Sequence, residues 1–249
     1  MTILAVTGLA KEAKLAGVAG VVAVAGGGDA DALMAKLNAL HGDLRGVISI
    51  GLAGALSPLL NVGDVVIADQ VITGALLPRA RGSALNAGEV AVAGSRASEG
   101  RRGQETWDCH EGWRVRLTSR LPFAHQGQLF GSDVIIENAE TKSGLHTTTG
   151  ALAVDMESQV AARFAAKRNL PLAGLRVISD DASHVLPPAA LVAMRPDGGI
   201  ALGRVLGSVL RKPGQVPALI RTARASNKAF AELLRCRDLC GVGFAGLDG

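Results

Sequence analysis

The chain has 249 residues, 48% of them hydrophobic and only 3% aromatic, with no Tyr. That length fits one large α/β domain with ample core material, while so few aromatics argue against a stacking platform for single-stranded nucleic acid. The net charge of +4 is modest but lopsided: residues 195–237 carry nine Lys or Arg against two acids, Asp197 and Glu232, a local balance of +7 that leaves the remainder at about −3. Three Cys (Cys109, Cys236 and Cys240) cannot build a disulfide framework, and neither they nor the five His fall at zinc spacing, so no metal is expected. The first eight residues lack a basic leader, and no apolar stretch reaches spanning length without a charge. These features predict a cytoplasmic protein, soluble or at most peripheral to the inner membrane.

The chain opens on an apolar run over residues 3–7, followed by a helical segment, Ala10–Ala16. Apolar runs over 20–25 and 46–51 read as further strands, with a helix over 29–40 between them for which Asp29 is the N-cap. The intervening Gly26, Gly27 and Gly28 form a plain β–α turn rather than a phosphate cradle, because no GxGxxG or Walker pattern follows. Strands are predicted again at 62–72, 127–136 and 172–178. Fully apolar strands separated by helices imply a mainly parallel sheet covered on both faces.

Two segments break this rhythm. Residues 79–106 are rich in Arg, Gly, Ser and Glu and poor in large apolar side chains, which predicts a disordered insert or a mobile flap. Residues 198–236 read as a helical C-terminal extension hinged at Arg211, Lys212, Pro213 and Gly214. Its first helix carries Gly199, Gly203 and Gly207 at four-residue spacing, a smooth face for close packing. Its second, residues 215–235, places Val216, Leu219, Ala223, Phe230 and Leu234 on one face and Arg221, Arg224, Lys228 and Arg235 on the other. Either a solvated basic face or a peripheral anchor on anionic lipid fits that segregation.

Two acidic signatures carry the chemistry. AVDMES, residues 153–158, runs an apolar strand into Asp155, Met156 and Glu157 at the head of a helix. RVISDDAS, residues 176–183, ends the next strand on Ser179 and Asp180. Carboxylates at neighbouring strand ends are where an open α/β sheet usually builds its site.

Together with ILAVTGLAKEAKLA at the N-terminus and SIGLAGALSPLLNVGDVVIADQV at residues 49–71, these signatures resemble the purine nucleoside phosphorylases and nucleosidases, over most of residues 1–183. The resemblance implies a single three-layer α/β/α domain with a mixed, mainly parallel central sheet. It also implies cleavage of a purine N-ribosidic bond. Asp180 falls where the family keeps the general acid that protonates the base, with Asp181 as its rival. Such an acid must hold its proton until the purine arrives, which partial burial favours. Glu157 and Met156 would contact the ribose, where a carboxylate orients the hydroxyls and stabilises positive charge on the sugar. Asp155, Gly54, Ala53, Ser179 and Ile135 would complete the substrate pocket. Glu12 would activate water, and Ser49, Gly51 and Leu52 would line the nucleophile region.

Departures from the family pattern bear on the nucleophile. Leu52 stands where a hydroxyl is common, and no Arg precedes the Gly-rich turn at Gly51 to Gly54. With Glu12 this leans towards water, leaving inorganic phosphate as the alternative co-substrate and Arg79, Arg81 or a partner subunit as alternative sources of cations. No other cofactor is expected. Ile135 and Ile136 replace the purine-stacking aromatic expected after residues 129–133. The tail from Arg195 to Phe230 is similar to that of bacterial hopanoid-associated phosphorylases, which implies adenine release from adenosylhopane to give ribosylhopane or its phosphate. The family shares sites between subunits, which implies a homo-oligomer. Two alternatives remain: a nucleosidase for 5′-methylthioadenosine and S-adenosylhomocysteine, and a non-catalytic nucleoside- or lipid-binding protein. The three carboxylates weigh against the second.

Overall fold

The computed structural model describes residues 2–74, 105–191, 197–199, 201–241 and 243–246. The expected insert over 79–106 therefore lies outside the described residues, except for residues 105 and 106, which open a strand.

Among the described residues eight strands form one mixed sheet: β1 (Thr2–Thr7), β2 (Val21–Ala25), β3 (Leu44–Ala55), β4 (Val65–Thr73), β5 (Glu105–Asp108), β6 (His125–Gly131), β7 (Ala153–Asp155) and β8 (Leu172–Asp180). Parallel pairs join β1 to β2 and β3, β3 to β8, β4 to β6, and β6 to β7. Antiparallel pairs join β3 to β7, β4 to β5, and β4 to β8. The α/β class with a mixed, mainly parallel sheet is thus as expected. The expectation of an open sheet is corrected, because β3, β8, β4, β6 and β7 pair in a closed ring. The long β3 makes this possible by holding β8 along most of its length and β7 at its last two residues.

Alternation along β1 divides its side chains between two cores. From β1, Leu4 and Val6 pack with Leu33 and Leu37 of α2 (Ala30–Asn38) and Val160 and Phe164 of α5 (Ser158–Lys167). Ile3 and Ala5 face the other way, towards Ala16 of α1 (Ala10–Ala16), Trp113 and Leu117 of α3 (Glu111–Arg120), and Leu233 and Cys236 of α8 (Val216–Cys240). These two helical layers enclose the sheet. Asp29 caps α2 as expected, accepting from the Ala32 amide at 2.9 Å. Trp113 is fully buried, and its indole N–H donates to the Phe244 carbonyl at 2.9 Å.

The remaining helices are α4 (Ala139–Thr149), the short α6 (Pro188–Leu191) and α7 (Leu202–Arg211), which is joined to α8 by a single 3-10 turn, Pro213–Gln215. Three readings of the extension change. Gly199 lies outside α7, and nothing approaches Gly203 or Gly207 closely, so the glycine face packs against no described residue. On α8 the buried stripe is Ala229, Leu233, Cys236 and Cys240, while Ala223 and Leu234 are exposed. Where α8 crosses the sheet decides this: only its C-terminal half lies over the core, so the face with the most apolar surface is not the one buried.

Inside the ring the strands leave little room. A Cβ on Gly174 in β8 would stand 2.7 Å from the Ala68 Cβ and 3.2 Å from Leu129. Gly174→Ala is expected to cost about 1–3 kcal/mol through overpacking, read as a lower thermal unfolding midpoint.

Candidate active site

The turn after β1 delivers the first acid. Glu12 is the third residue of α1 and folds back on the helix start, its Oε2 accepting from the Gly8 and Leu9 amides at 2.8 Å each. Its Oε1 accepts from the Leu52 amide of β3 at 2.9 Å. Only 3% of the residue is exposed. Burial pushes its carboxyl above the ordinary glutamate value, against the opposing pull of the Arg176 guanidinium and these three amides.

The stretch Gly51 to Gly54, expected as a turn, is extended backbone within β3. Its glycines serve approach rather than reversal. Gly51 has φ +154°, and a Cβ there would lie 2.8 Å from the Glu12 carboxyl and 2.9 Å from Arg176 Nη1. At Gly54 a Cβ would lie 2.9 Å from Asp180 Oδ2. Between them, Leu52 turns its side chain to the core on the α8 side and offers the site only its peptide group.

Arg176 of β8, unassigned from the sequence, is fully buried at the centre of the cluster. Its Nη2 lies 3.1 Å from Asp155 Oδ1 and donates to Ser49 Oγ at 2.6 Å and Ser158 Oγ at 3.2 Å. Its Nη1 lies 3.9 Å from Glu157 Oε2 and 3.4 Å from the Leu52 carbonyl. A lone Arg inside the apolar strand LAGLRVIS was the available signal, since such a charge needs buried partners.

Asp155 ends β7 and uses both oxygens within the protein. Oδ1 accepts from the amides of Glu157 (2.8 Å) and Ser158 (2.6 Å), and Oδ2 from the Ser158 hydroxyl (2.5 Å). It therefore fixes the start of α5 and anchors Arg176. Ser49, fully buried, bonds Arg176 and sits 3.1 Å from Ser158 Oγ. Glu157 occupies the N-cap position of α5 without a capping bond from its side chain and is 5% exposed. Burial pushes its carboxyl up to about 8 against the pull of Arg176, with Asp155 and Glu12 adding repulsion.

Asp180 stands at the end of β8, three β3 residues from this cluster. Its Oδ1 accepts from Ser179 Oγ at 2.9 Å, and Ser179 Oγ also lies 3.2 Å from the Ala53 carbonyl. Lys142 of α4, a second residue missed from the sequence, places its ammonium 2.5 Å from Asp180 Oδ2. Asp180 and Met156 line a cavity of about 90 Å³ with Gly54, Ile135, Ile136 and Leu186. This apolar wall occupies the place given to a purine face. Asp181, the rival acid, instead bonds Ser183 through its side chain, which holds its carboxyl below the ordinary aspartate value. A larger cavity of about 450 Å³, lined by Trp107, Cys109, His110 and Pro171, contains none of these acids, and burial pushes its thiol up to about 12. Of the sequence-predicted acids, Asp155 and Asp180 border the smaller cavity.

The site thus has two ends. Glu12, Arg176 and Glu157 gather near Gly51, and Asp180 with Lys142 stands near Gly54. At about 3.3 Å per residue the strand separates the ends by roughly 10 Å, room for a nucleoside reaching from base nitrogen to a nucleophile beyond the anomeric carbon. Among the described residues no cluster of His, Cys, Asp and Glu could hold a metal ion. Arg79 and Arg81 lie outside the described residues.

The sequence profile of the phosphorylase superfamily matches residues 6–211. Among solved structures, the S-adenosylhomocysteine nucleosidase of Streptococcus pyogenes in complex with 5-methylthiotubericidin aligns at a TM-score of 0.60 and 18% identity, over 95% of each chain. The MTA/SAH nucleosidase of Streptococcus pneumoniae in complex with 8-aminoadenine aligns at 0.56 and 20% identity, over 95% of this chain and 100% of that one. A futalosine hydrolase mutant of Helicobacter pylori aligns at 0.53 and 16% identity, over 72% and 90%. At these identities the likeness is one of fold. No curated protein matches the sequence.

Above the ordinary glutamate value of 4.5, the unfolded chain releases protons that folded Glu12 and Glu157 still hold. Folding then takes up protons, so this contribution is fully present below 4.5 and is lost as pH rises through about 8 for Glu157. Glu157→Gln is expected to flatten the decline, measured as unfolding free energy in urea from about pH 5 to about pH 9.

Proposed function

The chain belongs to the phosphorylase superfamily as an enzyme of the nucleoside phosphorylase and nucleosidase type, and on that footing we propose that it releases adenine from an adenosine carrying a hopanoid lipid at its 5′ position. The observation that carries the reaction is the placing of two acidic ends along one glycine-cleared strand. Asp180 delivers a proton to the purine N7, turning a poor leaving group into neutral adenine. Glu157 hydrogen-bonds the ribose hydroxyls and orients the sugar for cleavage. Glu12 takes a proton from the attacking water at C1′.

Water is favoured over phosphate by charge. Among the described residues one guanidinium stands at the nucleophile end, and it is already shared by Asp155, Glu157, Ser49 and Ser158, which leaves little positive charge to hold a phosphate dianion. Incubation with a 5′-alkylated adenosine, with and without phosphate, tests the reading by mass of the sugar product. Free alkylated ribose is expected under both conditions, and a ribose 1-phosphate would overturn the choice of nucleophile. Asp180→Asn is expected to slow adenine release by about 10²–10⁴-fold, and unchanged turnover would remove the acid assignment. A preference for 5′-methylthioadenosine over a bulky apolar 5′ chain would replace the lipid substrate with the smaller one.

The lipid reading draws on the tail and on surface chemistry. Residues 198–231 carry six Lys or Arg and no acid. On α7, Leu206 is 60% and Leu210 74% exposed, with Val185 nearby in sequence to α6 also open to solvent. Exposed leucines beside exposed Arg204, Arg211 and Lys212 suit an anionic lipid surface better than a solvated face alone. Among the described residues no helix is long and apolar enough to cross a membrane, so contact would be peripheral. The wild type is expected to float with anionic liposomes at low salt, and Leu206→Glu with Leu210→Glu to remain in solution. Failure of the wild type to float would remove the membrane contact.

A further inference from the structure

Lys142 is an unusual residue for the middle of a helix whose sequence, AETKSGLHTTT, reads as polar. Its side chain is fully withdrawn from solvent. Such an ammonium loses its hydration, a cost that only close partners offset. The partners are on one spot: Asp180 Oδ2 at 2.5 Å, the Asp181 carbonyl at 2.9 Å and the His184 carbonyl at 3.4 Å. No step of the proposed reaction has yet used it.

The pairing poses a chemical difficulty. A general acid must carry a proton when it meets the purine, yet a carboxylate facing an ammonium at this distance leaves that proton formally on the nitrogen. The proton becomes available only if the two groups act together. We propose that Lys142 is the proton source behind Asp180: the ammonium gives its proton to the aspartate carboxylate, which passes it on to N7. This inference rests on the nucleosidase reading and assigns it a further residue, one that acts through Asp180 and not on the substrate.

Atoms and charge balance through the step. The C1′–N9 bond breaks and its electron pair goes to the purine, neutralising the proton gained at N7. A water oxygen bonds C1′ and its proton passes to Glu12. Lys142 is left as a neutral amine and Asp180 as a carboxylate. When adenine leaves, Glu12 gives up its proton to water and the amine takes one up from water, so both groups return to their starting states. Ser179, donating to the other oxygen of Asp180, holds the carboxylate so that Oδ2 stays against Lys142. The surroundings suit a lysine in this role. Asp181 also lies within electrostatic reach of the ammonium, and the His184 ring turns away to Thr222 at 3.1 Å.

The test separates proton supply from structural support. The substrates are a 5′-alkylated adenosine and its N7-methylated derivative, whose leaving base already carries the positive charge and needs no proton. In the full-length chain, Lys142→Met is expected to lower kcat for the first by about 10²–10⁴-fold while leaving the N7-methylated substrate nearly unaffected. Lys142→Gln keeps a hydrogen-bond donor for Asp180 and serves if the methionine variant does not fold; the same split is expected. Equal losses on both substrates would make Lys142 structural, and no loss on either would make it idle; both overturn the inference. Absence of adenine release by the wild type would overturn the nucleosidase reading itself, whereas an active wild type with unaffected variants would overturn only the role of Lys142.

Discussion

A guanidinium removed completely from water is stable only where several acceptors converge, and the arrangement around Arg176 follows from that constraint. Its own strand, β8, supplies none of them. They come from Ser49 and Leu52 of β3, Asp155 at the end of β7, and Glu157 and Ser158 at the start of α5. Because one planar group bonds across three separate elements, their relative positions are fixed by its geometry. Removing it would leave Asp155 and two further acids buried without a cation, a change that costs more than any single hydrogen bond. The Nε of Arg176 has no partner of its own, so satisfaction of the cluster runs through the two terminal nitrogens.

The second constraint is the closed ring of strands. A sheet that pairs β8 with both β3 and β4 must let strands cross at close quarters, and Gly174 against Ala68 is where that happens. The same closure brings the end of β8, carrying Asp180, alongside Gly54 near the end of β3. It also brings β7, carrying Asp155, to the opposite edge of β3. One strand thereby becomes the floor on which both ends of the site are mounted, and its glycines clear the space that the acids fill. Fold and site depend on the same close contacts.

How much of this could be read in the sequence varies by residue. The alternation of apolar strands and helices was legible, as were Asp29 as a cap and the two acidic signatures, because each depends on neighbours close along the chain. Gly51 to Gly54 was misread as a turn, since glycines mark reversal and close approach equally well, and only the partners across space distinguish the two. Leu52 was read as a missing hydroxyl in the nucleophile region, whereas pleating turns its side chain into the core. Arg176 was visible as a charge in an apolar strand, but its partners lie up to 127 residues away. Lys142 had the weakest signal, as it shares the buried stripe of α4 with Leu145 in a helix of polar appearance. The buried face of α8 was misplaced because the position of a helix over a sheet, rather than its own amphipathicity, selected the face.

Charge ties the two ends of the site together. In the proposed reaction the purine end gives up one proton and the nucleophile end gains one, so the protein carries the same net charge before and after bond cleavage. Had either transfer run alone, a buried group would change charge without compensation, and in a medium of low effective dielectric that is severe. The raised carboxyls fit this requirement. Burial makes Glu12 more ready to accept a proton than an exposed glutamate, and the same protonation relieves the crowding of acids around Arg176. Each proton accepted near Gly51 therefore lowers the electrostatic cost of the one released near Gly54. The two transfers favour one another across the strand that separates them, which is a physical reason for a single domain to hold both.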